Sequence, residues 1–315
     1  MEKLSVLRAY LLGLSVWVGV VILSLKLGAV SDASFELITQ LRIPRVILAS
    51  MIGMGLSVAG AVLQALFSNP LCEPYTLGIS SGSALGAVLG VSFGLEWMVA
   101  GLAGSAFIGA LLFTAILLIS AQRQGGNNTI LLLTGVMLSF LGTSLVAVWM
   151  ALTDSNGLQA ALVWLFGDLS RARLKGSLLL ASGVMCLIFS IWKNWRNLDG
   201  LLMGEESALS FGVDVPKVRQ RMILLTSLLI GFCVSAGGMI GFVGLVVPHF
   251  VRKYRGALHL HLIPLCAIWG AVILTAADCI ARSAIRPYEL PVGVVTALLG
   301  APAFLWILWK RPAFL

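Results

Sequence analysis

Long apolar runs alternate with short polar intervals along almost the whole chain. The hydrocarbon core of a bilayer is about 30 Å thick, and a helix needs roughly 20 apolar residues to cross it. We predict a membrane-spanning helix in each of ten runs: 9–27, 46–67, 75–93, 98–121, 130–152, 177–192, 222–239, 242–251, 262–281 and 292–309. An even number of crossings places both termini on the same side of the membrane.

The composition agrees with this pattern. Of the 315 residues, 59% are hydrophobic, 11% are charged and 34 are glycine. A soluble domain carries roughly a quarter charged residues because its surface faces water, and glycine is commoner in transmembrane helices than in soluble ones. The formal net charge of +8 suits loops at an anionic membrane surface better than nucleic-acid binding. The chain is therefore predicted to be an all-α polytopic membrane protein.

The distribution of lysine and arginine predicts which side of the membrane each loop faces. With both termini in the cytoplasm, thirteen of the 21 lysine and arginine residues fall in cytoplasmic segments, as the positive-inside rule requires. Seven others fall on the outer side: Arg42, Arg45, Arg171, Arg173, Lys175, Arg282 and Arg286. Exposed cations on the side that the rule disfavours indicate an acidic partner there.

Motifs for catalysis or energy conversion are missing or out of context. Residues 78–82 read Gly-Ile-Ser-Ser-Gly, but this run opens an apolar helix and lacks the strand-to-helix turn of a serine nucleophile. The sequence contains no Gly-x-x-x-x-Gly-Lys loop to bind ATP phosphates. The five cysteines are scattered singly, which argues against a disulfide framework or a zinc site. We predict no catalytic residue, no metal site and no cofactor bound by this chain.

One acidic residue lies in an apolar setting. Asp278 stands four residues before Arg282, so a helix places both side chains on one face. We interpret the two residues as a structural ion pair. A proton relay inside the membrane is the alternative interpretation.

A polar stretch at residues 203–214 separates the sixth and seventh predicted spans. Leu209 and Phe211 stand in it among carboxylates, a pattern that favours a short amphipathic helix. Such a helix would suit docking into a groove on a cytoplasmic protein. A solvated connector without a partner is the other interpretation, and the residues alone leave both open.

A series of short motifs follows one order along nearly the whole chain. They are Arg42-Ile-Pro-Arg45, Gly60-Ala-Val-Leu-Gln64, Asn69-Pro-Leu71, Leu77-Gly-Ile-Ser-Ser-Gly82, Gly204-Glu205 with Gly212, Gly241-Phe-Val-Gly-Leu-Val-Val-Pro-His249 with Arg252, Asp278 with Arg282, Glu289-Leu-Pro-Val-Gly293 and Gly300-Ala-Pro302. Together they resemble the FecCD family of ABC importer permeases, which serve iron–siderophore, haem and cobalamin uptake. The similarity extends to the family's cobalamin-importing members.

The resemblance implies a fold and an assembly. The fold is that of a type II ABC importer permease, with residues 1–315 as a single transmembrane permease domain and a cytoplasmic coupling loop at about 195–218. Two permease copies, identical or paired with a sister chain, enclose a channel, and we favour the homodimer. Two cytoplasmic ATPase subunits, which carry ATP and Mg²⁺, and one extracytoplasmic binding protein complete the importer.

The resemblance also implies three groups of functional residues. Docking of the binding protein falls to Arg42, Arg45 and Arg282. The cytoplasmic gate falls to Asn69, Pro70 and Leu71, with a second constriction at Asn128 and Thr129. Contact with the ATPases falls to Gly204, Glu205, Ala208, Gly212 and Val213.

The cargo expected for such a permease is a ferric chelate, either a siderophore complex or haem, and cobalamin is the alternative. The expected location is the bacterial cytoplasmic (inner) membrane, with both termini in the cytoplasm. A secondary transporter that works without ATP is the competing hypothesis from another class. Transport that followed an ion gradient without any ATPase would favour that hypothesis.

Overall fold

A computed structural model describes residues 2–28, 35–95, 101–123, 128–285 and 288–310. Besides a single helical turn at Phe35–Leu37, the described residues form thirteen α-helices and no β-strand, with one isolated bridge between Ile285 and Tyr288. The helices are α1 (Glu2–Lys26), α2 (Ile43–Leu66), α3 (Ile79–Ser92), α4 (Gly101–Arg123), α5 (Asn128–Leu152), α6 (Ser155–Leu165), α7 (Leu174–Trp192), α8 (Trp195–Leu202), α9 (Glu205–Ser210), α10 (Val215–Gly237), α11 (Val243–Arg255), α12 (His259–Ser283) and α13 (Val292–Lys310).

Each of the ten predicted spans coincides with one of these helices, although residues 98–100 of the fourth span lie outside the described part of the chain. Within the described residues, seven helices are long and apolar enough to cross a bilayer: α1, α2 with the turn before it, α4, α5, α7, α10 and α12. Helices α3 and α13 are shorter apolar helices. The all-helical, multi-span fold predicted from the apolar runs is therefore confirmed.

The eighth predicted span, 242–251, is a short internal helix. Helix α11 has 13 residues, so it extends for about 20 Å, less than the thickness of the hydrocarbon core. Helix α10 ends at Gly237, and Gly238 follows with a φ of 73°, a conformation that glycine adopts without strain. The non-helical residues 238–242 then turn the chain back into α11, whose first turns are buried and whose last turn is exposed.

Helix α2 forms the centre of the molecule and is buried along most of its length. It packs against α7, α10, α11 and α12. Two glycine pairs permit the closest approaches: a Cβ on Gly53 would lie 2.2 Å from the carbonyl oxygen of Gly270, and one on Gly60 would lie 1.9 Å from that of Gly244. Small residues allow membrane helices to approach closely in this way.

Helices α2 and α12 run antiparallel, which fixes what meets at each end of the molecule. The hydroxyl of Ser57 donates to the carbonyl of Cys266, and Ser50 hydrogen-bonds Thr275 nearer the other end. The N-terminus of α2 therefore meets the C-terminus of α12. Two polar regions result, separated by about 28 Å along α2 from Arg45 to Gln64.

Helices α6 and α8 were not predicted from the sequence as separate elements, whereas α9 was. Helix α6 begins after Asp154, whose carboxylate accepts a hydrogen bond from the backbone of Gly157 as a helix cap. Helices α8 and α9 divide the predicted coupling loop. The short amphipathic helix expected within 203–214 is present as α9.

Candidate functional site

The first polar region is a cluster of four charged side chains where α2 begins and α12 ends. Arg45 bridges two carboxylates: its Nε lies 2.9 Å from Asp278 Oδ1, and its Nη1 lies 2.7 Å from Glu289 Oε2. The Nε of Arg282 lies 3.0 Å from Asp278 Oδ2. We call Arg45, Asp278, Arg282 and Glu289 the outer cluster. The ion pair predicted from the spacing of Asp278 and Arg282 is present, and Asp278 also holds Arg45.

Two predicted docking arginines are buried instead of exposed. The side chains of Arg42 and Arg282 are each 4% exposed. Arg42 Nη1 donates to the carbonyl oxygens of Leu25 and Lys26 at 2.7 and 2.9 Å, and Arg282 Nη2 donates to that of Ser24 at 3.2 Å. These carbonyls end α1, where the helix dipole attracts cations. The expectation that Arg42 and Arg282 are exposed cations is therefore wrong in this conformation, whereas docking itself stays a prediction.

Exposed cations at this end include Lys26, which ends α1, and three residues between α6 and the first turn of α7. Arg171, Arg173 and Lys175 are all exposed, and Arg171 lies 3.5 Å from Asp168. The segment between α6 and α7 is adjacent to the start of α13, because the backbone N–H of Val292 donates to the carbonyl of Gly167 at 3.1 Å. Arg286, the seventh predicted outer cation, lies outside the described residues.

The second polar region, at the other end of α2, includes the predicted gate Asn69–Leu71. The side chain of Asn69 accepts a hydrogen bond from the backbone of Leu71 at 2.9 Å, and Leu71 is 44% exposed. The buried Gln64 donates to the carbonyls of Cys72 and Gly244, and Arg252 donates to Gln64. These bonds hold the turn that contains Pro70 against α11.

The predicted coupling residue Glu205 joins two helices. Its Oε1 lies 2.5 Å from Arg219 Nη2 and accepts a hydrogen bond from Asn128 Nδ2 at 3.0 Å. Arg219 belongs to α10 and is 3% exposed, whereas Asn128 is the first residue of α5 and neighbours Thr129. One carboxylate therefore connects α9 with the first turns of α5 and α10. We call Glu205, Arg219 and Asn128 the inner cluster.

The remaining coupling residues shape α9 and the turns beside it. Ala208 is buried, and its carbonyl accepts the backbone N–H of Val213 at 3.0 Å. Gly204 and Gly212 have φ angles of 94° and 78°, which suit glycine at both ends of the short helix. Leu209 and Phe211 remain 58% and 72% exposed. The helix is thus anchored through Ala208 and Glu205, and its exposed residues are both polar and apolar, since Glu206 and Ser210 are exposed as well as Leu209.

A contact between a histidine and a carboxylate near this loop was not predicted from the sequence. His259 opens α12 and is fully buried, and its Nδ1 lies 2.7 Å from Asp199 of α8. The pair could not be anticipated because the two residues are 60 positions apart.

At the start of α10, a hydrogen bond from the side chain of Lys217 lowers the pKa of Asp214.

Ser81 and the cysteines belong to the remaining motifs that the sequence singled out. The hydroxyl of Ser81 donates to the carbonyl of Gly78 within the helix and is nearly buried. All five cysteines are free. No group of three or more metal-ligating side chains occurs among the residues that the structure describes.

A bundle of long apolar helices with a polar cluster at each end is the architecture of a polytopic membrane protein. Comparison with known proteins identifies the family. The FecCD transport family matches residues 5–310, and the chain belongs to this family. Its architecture is that of a type II ABC importer permease.

The relatives and solved structures agree with this assignment. The chain is 40% identical to the vitamin B12 import system permease protein BtuC of Vibrio cholerae over 310 residues, which cover 98% of this chain and 91% of BtuC. It is 38% identical to the hemin transport system permease protein HmuU of Yersinia pestis over 288 residues, 89% and 85% of the two chains. A structure described as a metal-chelate type ABC transporter in an inward-facing conformation matches with a TM-score of 0.88 at 29% identity, covering 98% of this chain and all of that one.

Proposed function

We propose that this chain is the permease subunit of an ATP-driven importer that moves a ferric chelate, either a siderophore complex or haem, from an extracytoplasmic binding protein to the cytoplasm. A second, identical permease, two ATPase subunits with ATP and Mg²⁺, and one binding protein complete the assembly. The permease itself contributes no catalytic residue and binds no cofactor. It lies in the bacterial inner membrane with both termini in the cytoplasm.

The observation that carries this proposal is the construction of α9. Glu205 fixes α9 to two membrane helices, while Leu209 in the helix and Phe211 directly after it are large exposed apolar side chains. Exposed apolar surface rimmed by polar residues is typical of a protein contact site. A groove on an ATPase subunit suits such a site. Movement of the ATPase would then act on α5 and α10 through Glu205, and the gate residues Asn128 and Thr129 lie at the start of α5.

Docking of the binding protein follows from the charges at the opposite end. The outer cluster contains two arginines and two carboxylates, so its formal charges cancel. An acidic partner is therefore attracted first by the exposed Arg171, Arg173 and Lys175. To reach Arg45 it must displace Glu289, which is 38% exposed and is the accessible carboxylate of the cluster.

The decisive experiment is transport by the reconstituted assembly. Liposomes that contain the permease, its ATPase and its binding protein should import ferric chelate only when ATP is present on the side of the membrane that carries the ATPase. Vanadate should stop the import. Replacement of Phe211 by serine should reduce ATPase binding, because it removes exposed apolar surface from α9. Import that continued without the ATPase and followed an ion gradient would refute the proposal in favour of a secondary transporter.

Cobalamin is the second candidate cargo. The 40% identity to a protein described as a vitamin B12 import permease favours it. Competition between ferric chelates and cyanocobalamin in the same liposomes separates the two candidates. If import of cyanocobalamin is inhibited by unlabelled cyanocobalamin but not by haem or siderophores at the same concentrations, the permease is assigned to cobalamin.

A further inference from the structure

A groove lies between α4 and α10, and only one of its six lining residues, Lys217, falls within the predicted coupling loop. Its cavity has a volume of about 370 Å³, within the range of sites for small ligands, about 300–1,000 Å³. Its lining residues are Leu118, Gln122, Lys217, Gln220, Arg221 and Leu224. We propose that this groove binds the head of an anionic phospholipid from the membrane leaflet that α9 faces.

The groove lies at the depth of lipid headgroups. Helix α4 ends at Arg123 and α10 begins at Val215, so the lining residues occupy the last turns of one span and the first turns of the other. The ends of membrane-spanning helices meet the headgroup region of the bilayer. Basic pockets between membrane helices at this level are suited to anionic lipid heads.

Along both helices, the lining of the groove changes from polar at its mouth to apolar deeper in the membrane. On α4, Leu118 lies one turn deeper in the membrane than Gln122. On α10, Leu224 lies one turn deeper than Gln220. The mouth of the groove therefore offers amides and cations, and its inner part offers aliphatic side chains. A molecule with a charged head and an acyl chain fits this gradient, whereas a soluble anion would use only the mouth.

The cations of the groove have little to balance them within the described residues. Lys217 lies 2.7 Å from Asp214, but both side chains are largely exposed, at 84% and 48%, and such pairs contribute about 0–1 kcal/mol. Arg221 is exposed and forms no ion pair in the part of the chain that the structure describes. Lys217 also stands in the first turn of α10, where the helix dipole disfavours a cation.

The chemistry of the groove selects an anionic lipid over a zwitterionic one. The guanidinium of Arg221 can bind two phosphate oxygens at once, and the ammonium of Lys217 adds a point charge. The amides of Gln122 and Gln220 can donate to ester or glycerol oxygens. The choline group of phosphatidylcholine would bring a positive charge towards these cations, whereas phosphatidylglycerol carries none.

Native mass spectrometry of the purified full-length chain tests the proposal, with added phosphatidylglycerol, phosphatidylcholine or inorganic phosphate. We expect the wild type to retain phosphatidylglycerol in preference to phosphatidylcholine. The double variant Lys217→Gln, Arg221→Gln should bind it roughly thirtyfold more weakly, since each cation near an anionic surface contributes about 1 kcal/mol. The matched control Lys253→Gln, Arg255→Gln removes two exposed cations at the end of α11 and should bind normally.

Four results would overturn the proposal. Equal retention of the two lipids, or unchanged phosphatidylglycerol binding by the double variant, would remove the selectivity on which it rests. Displacement of the lipid by millimolar inorganic phosphate would show a site for a soluble anion. Loss of the lipid when the ATPase subunits bind the wild type would assign the groove to that protein interface. None of these measurements requires transport, so they are independent of the proposed cargo.

Discussion

The outer and inner clusters both pair buried arginines with carboxylates, but the two clusters differ in how exposed the paired groups are to water. In the outer cluster, Asp278 is fully buried and holds two arginines, with Arg45 11% exposed and Arg282 4% exposed. In the inner cluster, the arginine is buried and the carboxylate is not: Glu205 is 52% exposed.

This difference separates a structural role from a role in transmission. The buried pair of Asp278 and Arg282 costs much to open, because each ion would be left without solvent or partner. A carboxylate that reaches from the surface to a buried arginine can be pulled by a second protein. We therefore expect the outer cluster to act mainly as a fixed joint between α2 and α12, and the inner cluster to transmit movement of α9 to α5 and α10.

The sharpest test of the fixed joint is Asp278→Asn. The variant leaves the guanidiniums of Arg45 and Arg282 without their shared charge, and breaking a buried pair costs about 3–5 kcal/mol. We expect a large loss of stability, measured by thermal unfolding of the purified chain in detergent. Glu36→Gln is the control, because Glu36 is an exposed acid near the start of α2 that hydrogen-bonds Gln40. Equal unfolding temperatures for the two variants would contradict the structural role.

The transmission role is tested by Glu205→Gln. The buried Arg219 loses its charged partner, and a coupling free energy of 1–3 kcal/mol corresponds to a change of about 5- to 150-fold. We expect uptake in the reconstituted assembly to fall about tenfold while ATP hydrolysis continues. The neighbouring carboxylate provides the control: Glu206→Gln should transport normally, because Glu206 forms no ion pair among the described residues. Identical uptake by both variants would make the loop a simple connector.

The smallest effect is expected for Glu289, the exposed residue of the outer cluster. Unlike the two substitutions above, this one should strengthen an interaction. Glu289→Gln removes the carboxylate that competes for Arg45, so the binding protein should bind more tightly. Because exposed ion pairs contribute about 0.2–1 kcal/mol, we expect its Kd to fall about threefold, measured by calorimetry at low salt. Weaker binding would show that Glu289 itself contacts the partner.

The sequence could predict the features that depend on neighbours along the chain. Apolar runs located the helices, and the spacing of four residues paired Asp278 with Arg282. The partners of Arg45 and Asn128 could not be found in this way, because they lie 233 and 77 positions away. The break before α11 was predicted, because 222–239 and 242–251 were separate spans, but the preceding helix ends two residues earlier than expected, at Gly237.

The sequence by itself determined that this chain enters a membrane as helices, because backbone groups in hydrocarbon must pair within their own segment. It also determined the family, through motifs spread over nearly the whole length. Only the tertiary structure decided which cations are exposed. Packing of α1 against the start of α2 and the end of α12 buries Arg42 and Arg282, and it leaves Arg171, Arg173 and Lys175 in water. Burial depends on contacts between distant segments, and local residue patterns carry no record of those contacts.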